Sequence, residues 1–137
     1  MPRIEWDDSF SVLNAEIDDQ HKEWINIFNT MHETLIGDDS EAKYTAAEES
    51  LKAMLDYARE HFKFEEAYMR NIDYPERVQH HRKHKDFDTQ VYTLFRDIQD
   101  GGVVLNTEII SMVKGWLLNH ILVEDKKYAL FFEKDNE

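Results

Sequence analysis

The chain has no cysteine, and only 4 glycines and 2 prolines in 137 residues. Without thiols it can form no disulfide, zinc–thiolate site or iron–sulfur cluster, and a reducing cytoplasm is its expected location. With so few helix breakers, long helices are expected in preference to a loop-rich fold. No stretch approaches the roughly 18 consecutive apolar residues that mark a bilayer-spanning helix. No basic-then-apolar leader is read at the start, so no membrane partner is expected. Positive charge is also scarce: 16 Lys and Arg stand against 29 Asp and Glu, a net charge of −13. A surface this acidic repels nucleic acid and anionic lipid, and it lowers the cost of holding cations nearby. The length suits one domain over residues 1–137, able to bury about two-thirds of its unfolded surface.

What the sequence has in quantity is helical periodicity. Residues Met1–Ile17 read as an arm, punctuated by Pro2, Trp6 and Phe10, whose aromatics should pack on the body. A first helix is expected over about 18–36, with the stripe Trp24, Ile25, Phe28, Met31 and Leu35. Extended backwards, this stripe reaches His21. Gly37 ends the helix, before turn residues Asp38, Asp39 and Ser40. A second helix is expected over about 41–71. Its seam is Tyr44, Ala47, Leu51, Met54, Ala58, His61, Glu65 and Tyr68, in unbroken steps of three and four. A third, over about 75–99, starts at Pro75 and carries His80, His84, Phe87, Val91, Leu94 and Ile98. Asp100, Gly101 and Gly102 break it. A fourth, over about 107–132, lines up Ile109, Val113, Trp116 and His120, with Leu117, Glu124 and Tyr128 alongside. The short connections predict an all-α, antiparallel up-down-up-down four-helix bundle with an N-terminal arm.

Histidine and glutamate occupy seam positions where leucine would be expected. One such histidine is ordinarily a satisfied core residue. Five imidazoles and a carboxylate at one level of a bundle would cost several kcal/mol to bury unpaired. A bound cation pairs them together. The i, i+4 pairs His61/Glu65 and His80/His84 lie about 6 Å apart on one face, which suits one ion or two adjacent ions. Imidazole with carboxylate and no thiolate suits iron, manganese, zinc or copper. No histidine follows a glutamate by three residues, as in carboxylate-rich di-iron bundles. Spacing therefore points to a two-metal site but does not name its ligand. On the fourth helix it selects Glu124, four residues after His120. His32 lies about 20° from the face of His21 but roughly 16 Å along the axis, and is expected on the bundle flank with no metal role.

The segments IDDQH (17–21), HFKFEE (61–66), YPERVQHHRKH (74–84) and WLLNHILVEDKKY (116–128) together resemble the hemerythrin family across nearly the whole chain. The resemblance implies two non-haem iron ions joined by an oxo or hydroxo bridge. His80, His84 and His120 would hold one ion, His21 and His61 the other, and Glu65 and Asp125 would bridge them. It therefore replaces Glu124 with Asp125 and sets His81 aside as a surface or supporting residue. It implies O2 as the partner, bound reversibly at the iron with fewer ligands, for storage, transport or delivery to an unidentified protein recipient. The alternative is oxygen or redox sensing through a separate partner. Catalysis is not expected, since no dedicated general acid or substrate cleft is evident. Phe62, Trp116, Leu118 and Ile121 neighbour the ligands in sequence and are the expected O2-pocket residues. Leu13 stands where a small residue would be expected in the arm.

Overall fold

Helix starts are set by side chains that accept the otherwise unpaired first N–H groups. Asn14 accepts from the Ile17 N–H and starts α1 at Ala15–Ile36, so the arm is shorter than expected. Asn106 does the same for the Ile109 N–H and starts α4 at Thr107–Asn119. Between them lie α2 (Ala42–Asn71) and α3 (Arg77–Gln99). Pro75 stands two residues ahead of α3 rather than in its first turn. After α4 come a π-helical turn at His120–Asp125 and α5 at Lys126–Asp135. The expected fourth helix is thus two α-helices joined by a widened turn. Asn119, His120 and Lys126 all keep right-handed helical angles, so the backbone stays helical at both junctions.

The coordinates are a computed structural model and describe residues 3–37 and 42–135. Pro2, the turn expected at Asp38, Asp39 and Ser40, and a helix start at Glu41 lie outside the described residues. Among the described residues there is no strand: the fold is an all-α four-helix bundle whose fourth rod is α4, the π-turn and α5. α1 packs on α2 and α4, and α2 packs on α3.

Two apolar clusters fill the bundle. The larger holds Trp24, Phe28, Leu51, Phe62, Phe87, Leu117 and Ile121. The smaller holds Val12, Ile17, Met69, Tyr74, Tyr128 and Ala129. Fully burying a side chain such as Leu or Phe stabilises by about 1.5–3 kcal/mol. On α1, α2 and the fourth rod, the histidines and carboxylates of interest lie between a residue of one cluster and a residue of the other, and on α3 His80 and His84 lie between Tyr74, in the turn before the helix, and Phe87. The polar layer is therefore sealed from both ends by hydrocarbon.

The seams fray where they leave the core. Tyr44 is exposed, and Tyr68, Leu94, Ile98 and Ile109 are only half-buried, while Ile110 takes the fully buried place on α4. His32 is 2% exposed and stacks on Phe28 at 6.3 Å, so its place on the bundle is a covered one. The arm's aromatics do pack on the body, with Phe10 buried and Trp6 stacked on it at 5.3 Å. The Asn29 side chain clasps the arm, accepting from the Ile4 N–H at 2.8 Å and donating to its carbonyl at 2.9 Å. Leu13 has φ of +62°, a left-handed conformation that costs a side chain with a Cβ about 1–2 kcal/mol. This explains why a small residue was expected there.

Candidate metal centre

Seven side chains from all four rods meet in the polar layer. One group, Glu65, His80, His84, His120 and Asp125, has its candidate ligand atoms within 4.8 Å of one another. A second group under the same limit is His21, His61, Glu65 and Asp125. The two carboxylates belong to both groups, and each divides its oxygens between them. Glu65 Oε1 is 3.0 Å from Nε2 of His80 and 3.0 Å from Nε2 of His84. Asp125 Oδ1 is 3.0 Å from Nε2 of His80 and 3.1 Å from Nε2 of His120. The other oxygens face the other way. Glu65 Oε2 is 3.0 Å from Nε2 of His61, and Asp125 Oδ2 is 3.1 Å from Nε2 of His21. All seven residues are 0–3% exposed.

Asp125 reaches this position because of the π-turn. In a regular α-helix the fifth residue lies about 140° around from the first. Widening the turn to i→i+5 hydrogen bonds rotates position i+5 back over position i. Asp125 then faces the same layer as His120, and Glu124 is displaced outward. There Glu124 meets Lys83 of α3 at 2.6 Å and Lys127 at 3.4 Å. Burial works against its charge, but Lys83 outweighs burial and lowers the carboxyl's pKa.

Residues behind the imidazoles set their tautomers. His61 Nδ1 donates to Gln20 Oε1 at 2.7 Å. His84 Nδ1 donates to Glu66 Oε2 at 2.8 Å. A neutral imidazole that donates through Nδ1 carries its lone pair on Nε2. In both residues that lone pair points at a Glu65 oxygen 3.0 Å away. Two lone pairs at this distance repel unless a proton or cation lies between them.

The layer also contains buried polar atoms with no hydrogen-bond partner: both nitrogens of His21, Nε2 of His61 and both oxygens of Asp125. Apart from His21 Nδ1, they converge at short range without hydrogen-bond geometry, as donors arranged around an ion do. Electrostatics points the same way. Burial pulls the His80 pKa down, but Asp125 and then Glu65 overcome it and hold it up at about 10. The same balance raises His21 to about 9, while burial dominates at His61 and lowers it. Burial opposes ionisation of Glu65 and Asp125, yet the surrounding imidazoles keep both carboxyls well below their ordinary range. The carboxylates demand positive charge in a place water does not reach. The nitrogen and oxygen donors present fit a metal pair.

Aromatic rings cover the layer on its larger-cluster side. Phe62 stacks on His84 at 3.8 Å with 5° between planes, and Trp116 stacks on His120 at 4.5 Å and 10°. Ile121 is completely buried. Leu118 is half-buried at the edge of the core, and its neighbour Leu117 is the fully buried one. His81 is 46% exposed at its side chain and contacts Glu66 at 2.7 Å.

Sequence reasoning missed four supporting groups. Gln20 directly precedes His21, and Glu66 directly follows Glu65, so adjacency to a candidate ligand was the available signal. The phenol of Tyr128 donates to Glu65 Oε2 at 3.1 Å. The Trp24 ring lies 5.5 Å from that of His61, one turn along α1 from His21, where the apolar stripe alone marks it as a core residue.

Residues 12–130 match the family described as Hemerythrin HHE cation binding domain. The chain is 30% identical to a bacteriohemerythrin from Stenotrophomonas maltophilia over 129 residues, covering 94% of this chain and 81% of that one. It is 32% identical to myohemerythrin-1 from Phascolopsis gouldii over 124 residues, covering 90% and 89%. A crystal structure of wild-type hemerythrin superposes with a TM-score of 0.84 at 27% identity, covering 93% of this chain and 96% of that one. With the family match spanning most of the chain and its bundle shared with solved hemerythrins, this protein belongs to the hemerythrin family.

Proposed function

We propose that the chain binds O2 reversibly at a pair of non-haem iron ions. His80, His84 and His120 would hold one ion, His21 and His61 the other, with Glu65 and Asp125 shared between them and an oxo or hydroxo bridge completing the pair. The observation that carries this is the division of carboxylate oxygens: Oε1 and Oδ1 face three imidazoles, Oε2 and Oδ2 face two. A bridged pair with one ligand fewer on one side is what that asymmetry fits, and the missing ligand leaves room for a small molecule. When bound, ferrous iron supplies the electrons with which O2 is held and takes them back on release.

The protein's own part is to orient and to exclude water. Gln20 and Glu66 fix the rings of His61 and His84. Phe62, Trp116 and Ile121 would wall the O2 pocket with Trp24, and Leu118 would close its outer edge. A dry apolar wall disfavours charge separation, so bound O2 leaves as O2. This is a binding function without turnover, serving storage, transport or delivery to a protein recipient, and its proposed location is the cytoplasm. None of the described helices is long and apolar enough to cross a membrane.

The test is anaerobic reduction of the iron-loaded protein, followed by admission and removal of oxygen. A visible absorption band that appears with O2 and disappears without it, at about two irons per chain, is the expected result. Its absence in a protein carrying two irons would overturn the reading.

A further inference from the structure

The chain's scarce positive charge is not evenly spread. From Arg77 to Lys85 the sequence holds Arg77, Arg82, Lys83 and Lys85 and no Asp or Glu, in a protein of net charge −13. Across from this segment, α2 presents Lys63 and Arg70. Two clefts, of about 290 and 220 Å³, run along the α2/α3 groove, lined among others by Lys63, Arg70, Arg77 and Lys85. All four cations are exposed. The carboxylates in the same groove are already engaged. Asp88 takes a two-pronged ion pair from Arg59 at 2.6 and 3.1 Å. Glu66 is shared between His81 and His84. Lys63, Arg70 and Lys85 have no ion pair with another described residue.

The groove also lies over the metal layer. His84 and Phe62 line the smaller cleft. From the exposed His81, one carboxylate leads inward: His81 Nδ1 to Glu66 Oε1 at 2.7 Å, then Glu66 Oε2 to His84 Nδ1 at 2.8 Å. The opposite nitrogen of His84 faces the layer. A basic surface is thus joined to a candidate iron ligand through a single side chain.

We propose that the α2/α3 groove docks an acidic one-electron donor protein, which returns the iron pair to the ferrous state. The proposal rests on the di-iron reading above. A carrier that holds O2 by lending two electrons is left with both ions ferric whenever its ligand departs as hydrogen peroxide, so it needs a donor. Each encounter moves one electron from the donor to one ferric ion. Two encounters restore the pair, with charge balanced by proton uptake from water. A donor of opposite charge meets repulsion over most of this acidic surface and attraction here, so the field both speeds encounter and selects the face nearest the metal.

The probe is a reduced acidic [2Fe–2S] ferredoxin mixed anaerobically with the ferric, iron-loaded protein. The combined variant Lys63→Glu with Lys85→Glu should lower the second-order reduction rate at least tenfold at low ionic strength, and added salt should narrow the gap. Reduction by photoreduced methyl viologen, a small cation, should stay within twofold. Carbodiimide cross-linking, which needs no working metal site, should join Lys63 or Lys85 to ferredoxin carboxylates. An unchanged rate in the double variant, an equal loss in Lys43→Glu at the far end of α2, or cross-links confined to other lysines would overturn the proposal. If methyl viologen leaves the spectrum of the wild-type protein unaltered, the di-iron reading fails, and the proposal with it.

Discussion

The two halves of the metal layer share their carboxylates and differ in almost everything else. One half has three imidazoles, supported from behind by the charged Glu66 and roofed by stacked Phe62 and Trp116. The other has two imidazoles, supported by the neutral amide of Gln20 and edged by Trp24. On the di-iron reading proposed above, the richer half would keep its ion and the poorer half would leave a place for a ligand. A carboxylate behind an imidazole raises its basicity more than an amide does, so the supporting residues reinforce the same difference.

Removing a shared group should erase the comparison and have the largest effect. Glu65→Ala takes an oxygen from both halves, and iron content should fall from about two per chain to well below one by elemental analysis. Because a site filled at about 1,000 times its Kd stabilises by about 4 kcal/mol, thermal unfolding of this variant should resemble that of chelator-treated wild type. A variant that kept both irons would show that the carboxylate is not shared.

Removing one imidazole from each half should expose the asymmetry. His61→Ala leaves its half with a single histidine and should yield about one iron per chain. His84→Ala leaves two histidines in the other half and should retain more metal under the same dialysis. Equal retention would remove the basis for calling one half the ligand-binding side.

The supporting residues come next. Glu66→Ala should weaken retention of one iron by about 10- to 100-fold, the usual cost of losing a group that orients a metal-bound histidine. Gln20→Ala should cost less and affect the other iron, and chelator-release kinetics in the two variants would separate the phases. The smallest effect on metal retention belongs to Tyr128→Phe. It removes one hydrogen bond from Glu65 Oε2 and should cost about 1.5–3 kcal/mol in metal-free urea unfolding, the range for bonds to charged groups.

Much of this arrangement can be read in the residue order, and for identifiable reasons. Helical periodicity is local, so the seams of α1, α2 and α3 already carry His21, His61, Glu65, His80 and His84 toward one level. His32 shows the limit of that reasoning. Angle and axial rise set its distance from His21, but not whether a neighbouring ring would cover it, and it proved buried against Phe28. Adjacency to His21 and Glu65 singles out Gln20 and Glu66, but not their roles, because each acts on a histidine of another helix.

By itself, then, the sequence determined that the chain is helical, that histidines and a glutamate interrupt its apolar seams, and that thiolate plays no part. The seventh side chain was decided at the level of the folded rod. A regular helix points Glu124 inward after His120, and only the π-turn at His120–Asp125 turns Asp125 into the layer. The resemblance to hemerythrins named Asp125 without giving a reason. The reason is physical: an i→i+5 turn does not follow from a residue pattern with α-helical period. It becomes visible only where the packed bundle holds Asp125 among imidazoles from three other helices.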